Sequence, residues 1–193
     1  LSGVMAGRPL NNAARMAMAM LGLSVLMISG VSAREFTLDS VRAKVTGDYA
    51  GVAQLPPERL QSMIGAGGSP LVLDVREAAE FAVSHLAGAE RVEPGISASA
   101  FLAQFAAKAK GRPVVFYCSV GVRSSILAEK VQAALKAAGA GPVYNLDGGI
   151  FAWHNQSRSL VDASGPTELV HPYDSHWGKL LTRRDFISTG PKP

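Results

Sequence analysis

Cys118 is the only cysteine in 193 residues, and it opens the run Cys118-Ser119-Val120-Gly121-Val122-Arg123-Ser124-Ser125. Before it, Val114-Val115-Phe116-Tyr117 follow Gly111-Arg112-Pro113 and predict a buried strand. After it, Ile126 to Ala138 contains neither Gly nor Pro and is closed by Gly139, which predicts a helix. A thiol between the two lies at the carboxyl end of a strand and faces a helix N-terminus. Free backbone N–H groups and the positive end of the helix dipole favour a thiolate there. Gly121 permits backbone angles that turn successive N–H groups toward the sulfur. Arg123 adds a permanent, planar, multi-donor cation suited to an oxyanion. The arrangement is an anion cradle around a nucleophile. A lone cysteine otherwise serves as a buried packing residue; the order strand, Cys, Gly, Arg, helix favours the reactive reading.

The rest of the chain must supply a scaffold for that loop. Glu35 to Tyr49 has weak periodicity and reads as an extension ahead of the main domain. Val52-Ala53 suits a short strand, and Pro56-Pro57-Glu58-Arg59-Leu60 opens a helix through about Ile64. Leu71-Val72-Leu73-Asp74-Val75-Arg76 follows the turn Gly65–Pro70 and is apolar enough to be buried on both faces. Glu77 to Phe81 starts a short helix, Glu90 to Val92 suits an edge strand, and Ser97 or Ser99 caps a helix through about Ala109. Pro142 to Leu146 makes a last strand, ending in Asp147-Gly148-Gly149, before a short helix from Ile150 to His154. Strands alternating with helices predict an α/β fold, a mainly parallel sheet with helices on both faces. Sites in such sheets sit at the carboxyl ends of the strands. Asp74-Val75-Arg76, the Cys118–Arg123 loop and Asp147-Gly148-Gly149 all fall at such ends.

Size and composition narrow the function classes. The length suits one α/β domain with extensions. One cysteine excludes an intramolecular disulfide and a cysteine-based metal cluster, and the four histidines have no zinc-ligand spacing, so no metal or cofactor is expected. Two of the 19 basic residues, Arg8 and Arg15, precede residue 33, so the net charge of +4 falls to +2 over the remainder. Without a long Lys/Arg run, nucleic-acid binding has little support.

Residues 1–33 read as a leader: Arg8 and Arg15, an apolar stretch from Met16 to Ile28, then Ser29-Gly30-Val31-Ser32-Ala33. Val31 and Ala33 fit the small-residue pattern before a signal-peptidase cut, so cleavage after Ala33 and export are expected, to the periplasm in a bacterium or as a secreted protein. An uncleaved leader would instead anchor the chain in a membrane facing the periplasm. The division that follows is leader 1–33, N-terminal extension 34–50, main domain 51–156 and C-terminal tail 157–193.

From about Val52 to Asn155 the sequence resembles a single-domain rhodanese, a thiosulfate or persulfide sulfurtransferase. Three stretches carry the resemblance: Leu73-Asp74-Val75-Arg76-Glu77 with Glu80-Phe81 and His85-Leu86-Ala87-Gly88-Ala89; the Cys118–Ser124 loop; and Leu146-Asp147-Gly148-Gly149 with Trp153. Six residues from Cys through Arg typify the sulfurtransferases, whereas a loop one residue longer typifies related cell-division phosphatases. The resemblance implies that Cys118 attacks the outer sulfur of a small donor such as thiosulfate and then passes it, as a persulfide, to cyanide or a thiol. It implies that the amides of Ser119, Val120, Gly121, Val122, Arg123 and Ser124 hold the terminal sulfur, and that Arg123 binds the donor's anionic end. Val120 and Val122 stand where many relatives carry polar or basic residues, which makes the rim more apolar and a poorer match for thiosulfate.

Supporting roles follow from residue type. Arg76 either lines the pocket or pairs with Glu77, Glu80 or Asp74. Asp74 fixes loop backbone and Asp147 shapes its turn, while Gly148 and Gly149 allow close backbone approach. His85 suits packing or capping, and Trp153 the core. The aromatics of His171-Pro172-Tyr173-Asp174-Ser175-His176-Trp177-Gly178 predict that the tail packs down, as a wrap on the domain surface or, alternatively, across the rim of the site. A redox protein is a further partner to consider. Two rival functions stand beside sulfur transfer: a non-catalytic module that carries or senses persulfide or docks a partner, and a phosphatase or arsenate reductase, which the short loop disfavours.

Overall fold

Five parallel strands form the centre of the molecule: β1 (Ala53–Leu55), β2 (Leu71–Asp74), β3 (Glu90–Arg91), β4 (Val114–Tyr117) and β5 (Val143–Leu146), in the order β1-β5-β4-β2-β3. The structure is a computed structural model that describes residues 35–191. The leader expected over residues 1–33 lies outside them. Six helices connect and cover the sheet: α1 (Leu38–Asp48), α2 (Pro57–Gly65), α3 (Ala78–Val83), α4 (Ala98–Ala109), α5 (Val122–Ala137) and α6 (Gly149–Asn155). The alternation of strand and helix gives the α/β architecture expected from the sequence.

β2 and β4 are buried at every position because side chains on successive residues point to opposite covered faces. On one face Leu71, Leu73, Val114 and Phe116 pack with Phe101 and Phe105 of α4 and Leu127, Val131 and Leu135 of α5. On the other, Val72, Val115 and Tyr117 pack with Leu60 of α2, Ile150 and Phe151 of α6, and Val41 and Val45 of α1. β4 lies between β5 and β2, with Phe116 paired to Leu73 on one side and Asn145 on the other. That register brings the three carboxyl-end tips to one rim, with the Cys118 loop in the middle.

Two segments carry more structure than the sequence reading assigns them. Glu35–Tyr49 contains an eleven-residue helix, capped by Thr37, whose side chain accepts from the Ser40 amide while Ser40 accepts from the Thr37 amide. Its apolar stripe is only Val41 and Val45, too narrow to register as periodicity. The tail beyond residue 156 opens with an antiparallel hairpin, β6 (Leu160–Asp162) and β7 (Gly165–Thr167), and Leu160, Val170, Leu180 and Leu181 enter the same core as α1 and α6. Both segments belong to the body of the domain.

Candidate active site

Chain geometry at the end of β4 sets the site. Cys118 follows the last strand residue, Tyr117, and is 1% exposed. Gly121 adopts φ = 101°, a left-handed conformation that a side chain resists, and its N–H donates to the Cys118 Sγ at 3.2 Å. A Cβ at Gly121 would also come within 2.9 Å of Asn145 Nδ2. α5 begins at Val122, four residues before the Ile126 start expected from sequence. The reason is Gly121: at the N-cap it turns the chain straight into a helical turn, closed by Ser125 N–H on the Gly121 carbonyl at 3.1 Å. The first turn of α5 is therefore the second half of the cysteine loop.

The outer side of this loop is tied to the tip of β5. Ile150 N–H donates to the Cys118 carbonyl at 2.9 Å, and Phe151 N–H to the Ser119 carbonyl at 3.0 Å. These are otherwise orphan donors of the first turn of α6. Approach this close explains Gly149, where a Cβ would lie 2.4 Å from the Cys118 oxygen and 2.6 Å from the Ser119 oxygen. Beside it, Gly148 is the N-cap of α6. Asp147 is held by Arg42 of α1, whose Nε donates to Oδ1 at 2.9 Å. That hydrogen bond holds the Arg42 guanidinium above its ordinary pKa. The Ser124 hydroxyl donates to Asn145 Oδ1 at 2.6 Å, and Asn145 in turn donates to Gln54 Oε1 at 2.8 Å.

Arg123 and Glu80 form the charged wall. Arg123 NH1 and NH2 each donate to one Glu80 oxygen at 2.9 Å, and NH2 also reaches Ser119 Oγ at 3.0 Å. Ser119 Oγ donates to Glu80 Oε1 at 2.9 Å. Burial alone would push the Glu80 carboxyl up; the Arg123 guanidinium, the Glu77 amide and the Ser119 hydroxyl outweigh it and hold the group below the usual carboxylate range. Burial acts on Arg123 in the depressing sense, and its bonds to Glu80 and its proximity to Cys118 outweigh that. Glu80 is thus part of the site. From sequence it enters within the Glu80-Phe81 stretch of the resemblance and as one of three partners for Arg76, because nothing in the spacing shows which arginine it meets.

Arg76 is placed away from the cavity, and its candidacy as a substrate-binding residue is corrected. It is fully buried and bonded to Asp74 through Nε at 2.9 Å and NH2 at 2.6 Å, with NH2 also donating to the Ser84 carbonyl at 2.7 Å. The Arg76 amide donates to Asp74 Oδ1 at 3.0 Å, so the carboxylate fixes the backbone leaving β2. His85 stacks on Phe81, ring centroids 3.8 Å apart, and Trp153 is a core residue whose Nε1 donates to the Ser159 carbonyl.

Over the sulfur lies a cavity of about 140 Å³ lined by Cys118, Ser119, Val120, Val122, Arg123, Tyr173 and Trp177. The tail therefore crosses the rim of the site, the alternative to a plain surface wrap. The Tyr173 ring lies 4.8 Å from the Arg123 guanidinium carbon, a cation–π contact. A larger cleft of about 440 Å³ beside the hairpin, flanked by Arg158 and Arg183, is lined by neither cysteine nor histidine.

Comparisons with known proteins point the same way. Residues 56–156 match the family described as the rhodanese-like domain. The "Probable adenylyltransferase/sulfurtransferase MoeZ" of Mycobacterium tuberculosis is 31% identical over 118 residues, which cover 59% of this chain and 28% of that protein. A tRNA uridine(34) hydroxylase of Bradyrhizobium diazoefficiens is 39% identical over 92 residues, covering 46% of this chain and 34% of that protein. The chain thus spans about a third or less of these curated relatives. The crystal structure of a thiosulfate sulfurtransferase from Pseudomonas aeruginosa superposes with a TM-score of 0.50 at 21% identity, covering 65% of this chain and 23% of that one, a likeness of fold.

Two measurements check the geometry. Gly149→Ala is expected to lower stability by about 2 kcal/mol or more, from positive φ and contact with two carbonyl oxygens, read as a lower urea midpoint. Glu80→Gln removes a carboxylate whose folded pKa is depressed. Its contribution is present in full above the ordinary value of 4.5 and is lost as pH falls through the lower folded value. The stability gap between wild type and Glu80→Gln should therefore be widest at neutral pH and close in acid; a gap independent of pH would contradict the pairing.

Proposed function

The chain belongs to the rhodanese-like domain family, and from that premise we propose that it is a sulfurtransferase that carries sulfane sulfur on Cys118. The observation that carries this reading is the Gly121 N–H, 3.2 Å from the Cys118 Sγ, at the start of a sixteen-residue helix and beside a cavity of about 140 Å³. Amide and helix terminus favour negative charge on sulfur, before and after transfer.

In the first half-reaction the Cys118 thiolate attacks the outer sulfur of the donor. With thiosulfate, a new S–S bond forms on Cys118, the donor's S–S bond breaks, and sulfite leaves with the electron pair. A hydropersulfide, R–S–SH, reacts likewise and releases R–S⁻. In the second half-reaction a thiolate or cyanide attacks the terminal sulfur and Cys118 leaves as thiolate. No external oxidant or reductant is needed, because the sulfane sulfur moves as a unit.

The wall chemistry orders the donors. Arg123 is the one cation lining the cavity among the described residues, and Glu80 opposes its charge at 2.9 Å. Val120, Val122, Tyr173 and Trp177 supply the remaining apolar lining. A dianion entering such a cavity loses hydration with little unopposed positive charge to replace it. A singly charged or neutral hydropersulfide loses less, so it is the favoured donor over thiosulfate.

The test is intact mass of the protein before and after a hydropersulfide or thiosulfate, with Cys118→Ser as control. Wild type should gain one sulfur atom, more readily from the hydropersulfide, and lose it on addition of cyanide or a thiol; the variant should gain nothing. Absence of any sulfur adduct with either donor would sink the reading.

A further inference from the structure

We infer that Tyr173 and Trp177 determine the specificity of this site as a size filter: they roof Cys118 so that sulfur enters and leaves on small molecules, while a cysteine persulfide borne on a folded protein is excluded. The inference rests on the sulfur-transfer reading above and extends it to the class of donor and acceptor. Neither residue lies in the segment matched by the family model, which ends at residue 156.

The roof is built and held. The chain is pinned before it at Val170, which is fully buried and exchanges backbone hydrogen bonds with the chain end: its N–H donates to Phe186 O at 2.9 Å and its carbonyl accepts from Ser188 N–H at 3.0 Å. After it, Leu180 and Leu181 enter the core, and Asn155 of α6 clasps the chain by donating to the Leu180 carbonyl and accepting from the Thr182 amide, both at 2.9 Å. Between these anchors, Asp174 Oδ1 accepts from the amides of His176 and Trp177 at 2.8 Å each and fixes the turn that delivers the indole. The far side is closed by Phe36, whose ring centroid is 5.6 Å from that of Trp177 and 4.2 Å from that of His176.

Tyr173 covers the other half of the opening. It takes φ = 65°, left-handed for a residue with a bulky side chain, and that backbone lays its ring 4.8 Å from the Arg123 guanidinium carbon. Tyr173 is 47% exposed, while Cys118 beneath is 1% exposed. The cavity left beneath, about 140 Å³, admits a few heavy atoms. A cysteine within a protein carries backbone on both sides of its Cα and cannot bring its sulfur there without lifting the segment between the two anchors. A free hydropersulfide has no such burden.

The single cysteine makes the test direct. Alkylation of the full chain reads access to Cys118 alone, using iodoacetamide as the small probe and a maleimide coupled to polyethylene glycol as the bulky one. Sulfur loading is read by intact mass, with a small hydropersulfide and a persulfidated single-cysteine carrier protein as donors. Wild type should favour the small member of each pair by about a hundredfold or more. Tyr173→Ala with Trp177→Ala should narrow both ratios at least tenfold, whereas Tyr173→Phe with Trp177→Phe, which keeps the rings, should leave them near wild type. Comparable loading from the small and the protein-borne donor, or ratios unmoved by the alanine pair, would overturn the filter. If no donor loads Cys118 while alkylation still discriminates by size, the failure lies in the sulfur-transfer reading and the specificity claim falls with it.

Discussion

A loop that turns an amide inward to a sulfur must turn carbonyls outward, and those carbonyls need donors. The structure depends on how this is met. Gly121 gives its N–H to Cys118, while the carbonyls of Cys118 and Ser119 accept from Ile150 and Phe151. The donors are first-turn amides of a helix, free by the geometry of helices and in place because β5 runs parallel to β4. Asp147-Gly148-Gly149 is thus the counterpart of the cysteine loop. It supplies the outer hydrogen bonds and, through Asp147 and Arg42, fastens α1 to the same rim.

Two carboxylate–arginine pairs flank the cysteine and serve different ends. Asp74 and Arg76 are both fully buried and bonded to each other and to backbone, so they weld the exit of β2 to the Ser84 carbonyl. Breaking such a pair strands a buried charge, at about 3–5 kcal/mol. Glu80 and Arg123 stand at the cavity edge, where Arg123 keeps partial exposure. There the pair sets the field around the sulfur, because a guanidinium matched by a carboxylate holds its shape and hydrogen bonds while presenting little net charge. An arginine in the loop pattern therefore does not by itself make a strong anion site.

Much of this was legible in the sequence, and the missing parts have physical causes. Strand runs such as Val114–Tyr117, punctuation by Gly and Pro, and the order of three polar tips suffice for a parallel α/β sheet with Cys118 at its rim. Helix α1 is hard to see in the sequence because two buried valines make too faint a stripe, although Thr37 and Ser40 form a cap that can be read from residue type. The early start of α5 depended on the φ of Gly121, which a glycine does not declare. Pairing was the hardest to read: Glu80 and Asp74 are both near Arg76 in sequence, and only the folded chain sends one to Arg123. The tail aromatics announced that the segment packs, while their position over the sulfur followed from the anchors at Val170 and Leu180.

The shared core has a consequence for where this domain begins and ends. Leu60, Ile150 and Phe151, inside the span 56–156 that matches the family, pack in one cluster with Val41 and Val45 from before it and Leu160, Val170, Leu180 and Leu181 from after it. The segment that evolution's pattern marks is therefore smaller than the segment that melts together. Cut at those family limits, the chain would expose the apolar floor of the cluster to water. The cooperative unit, the stretch whose amides should exchange with solvent only through a common opening, is the flanked domain rather than its recognisable centre.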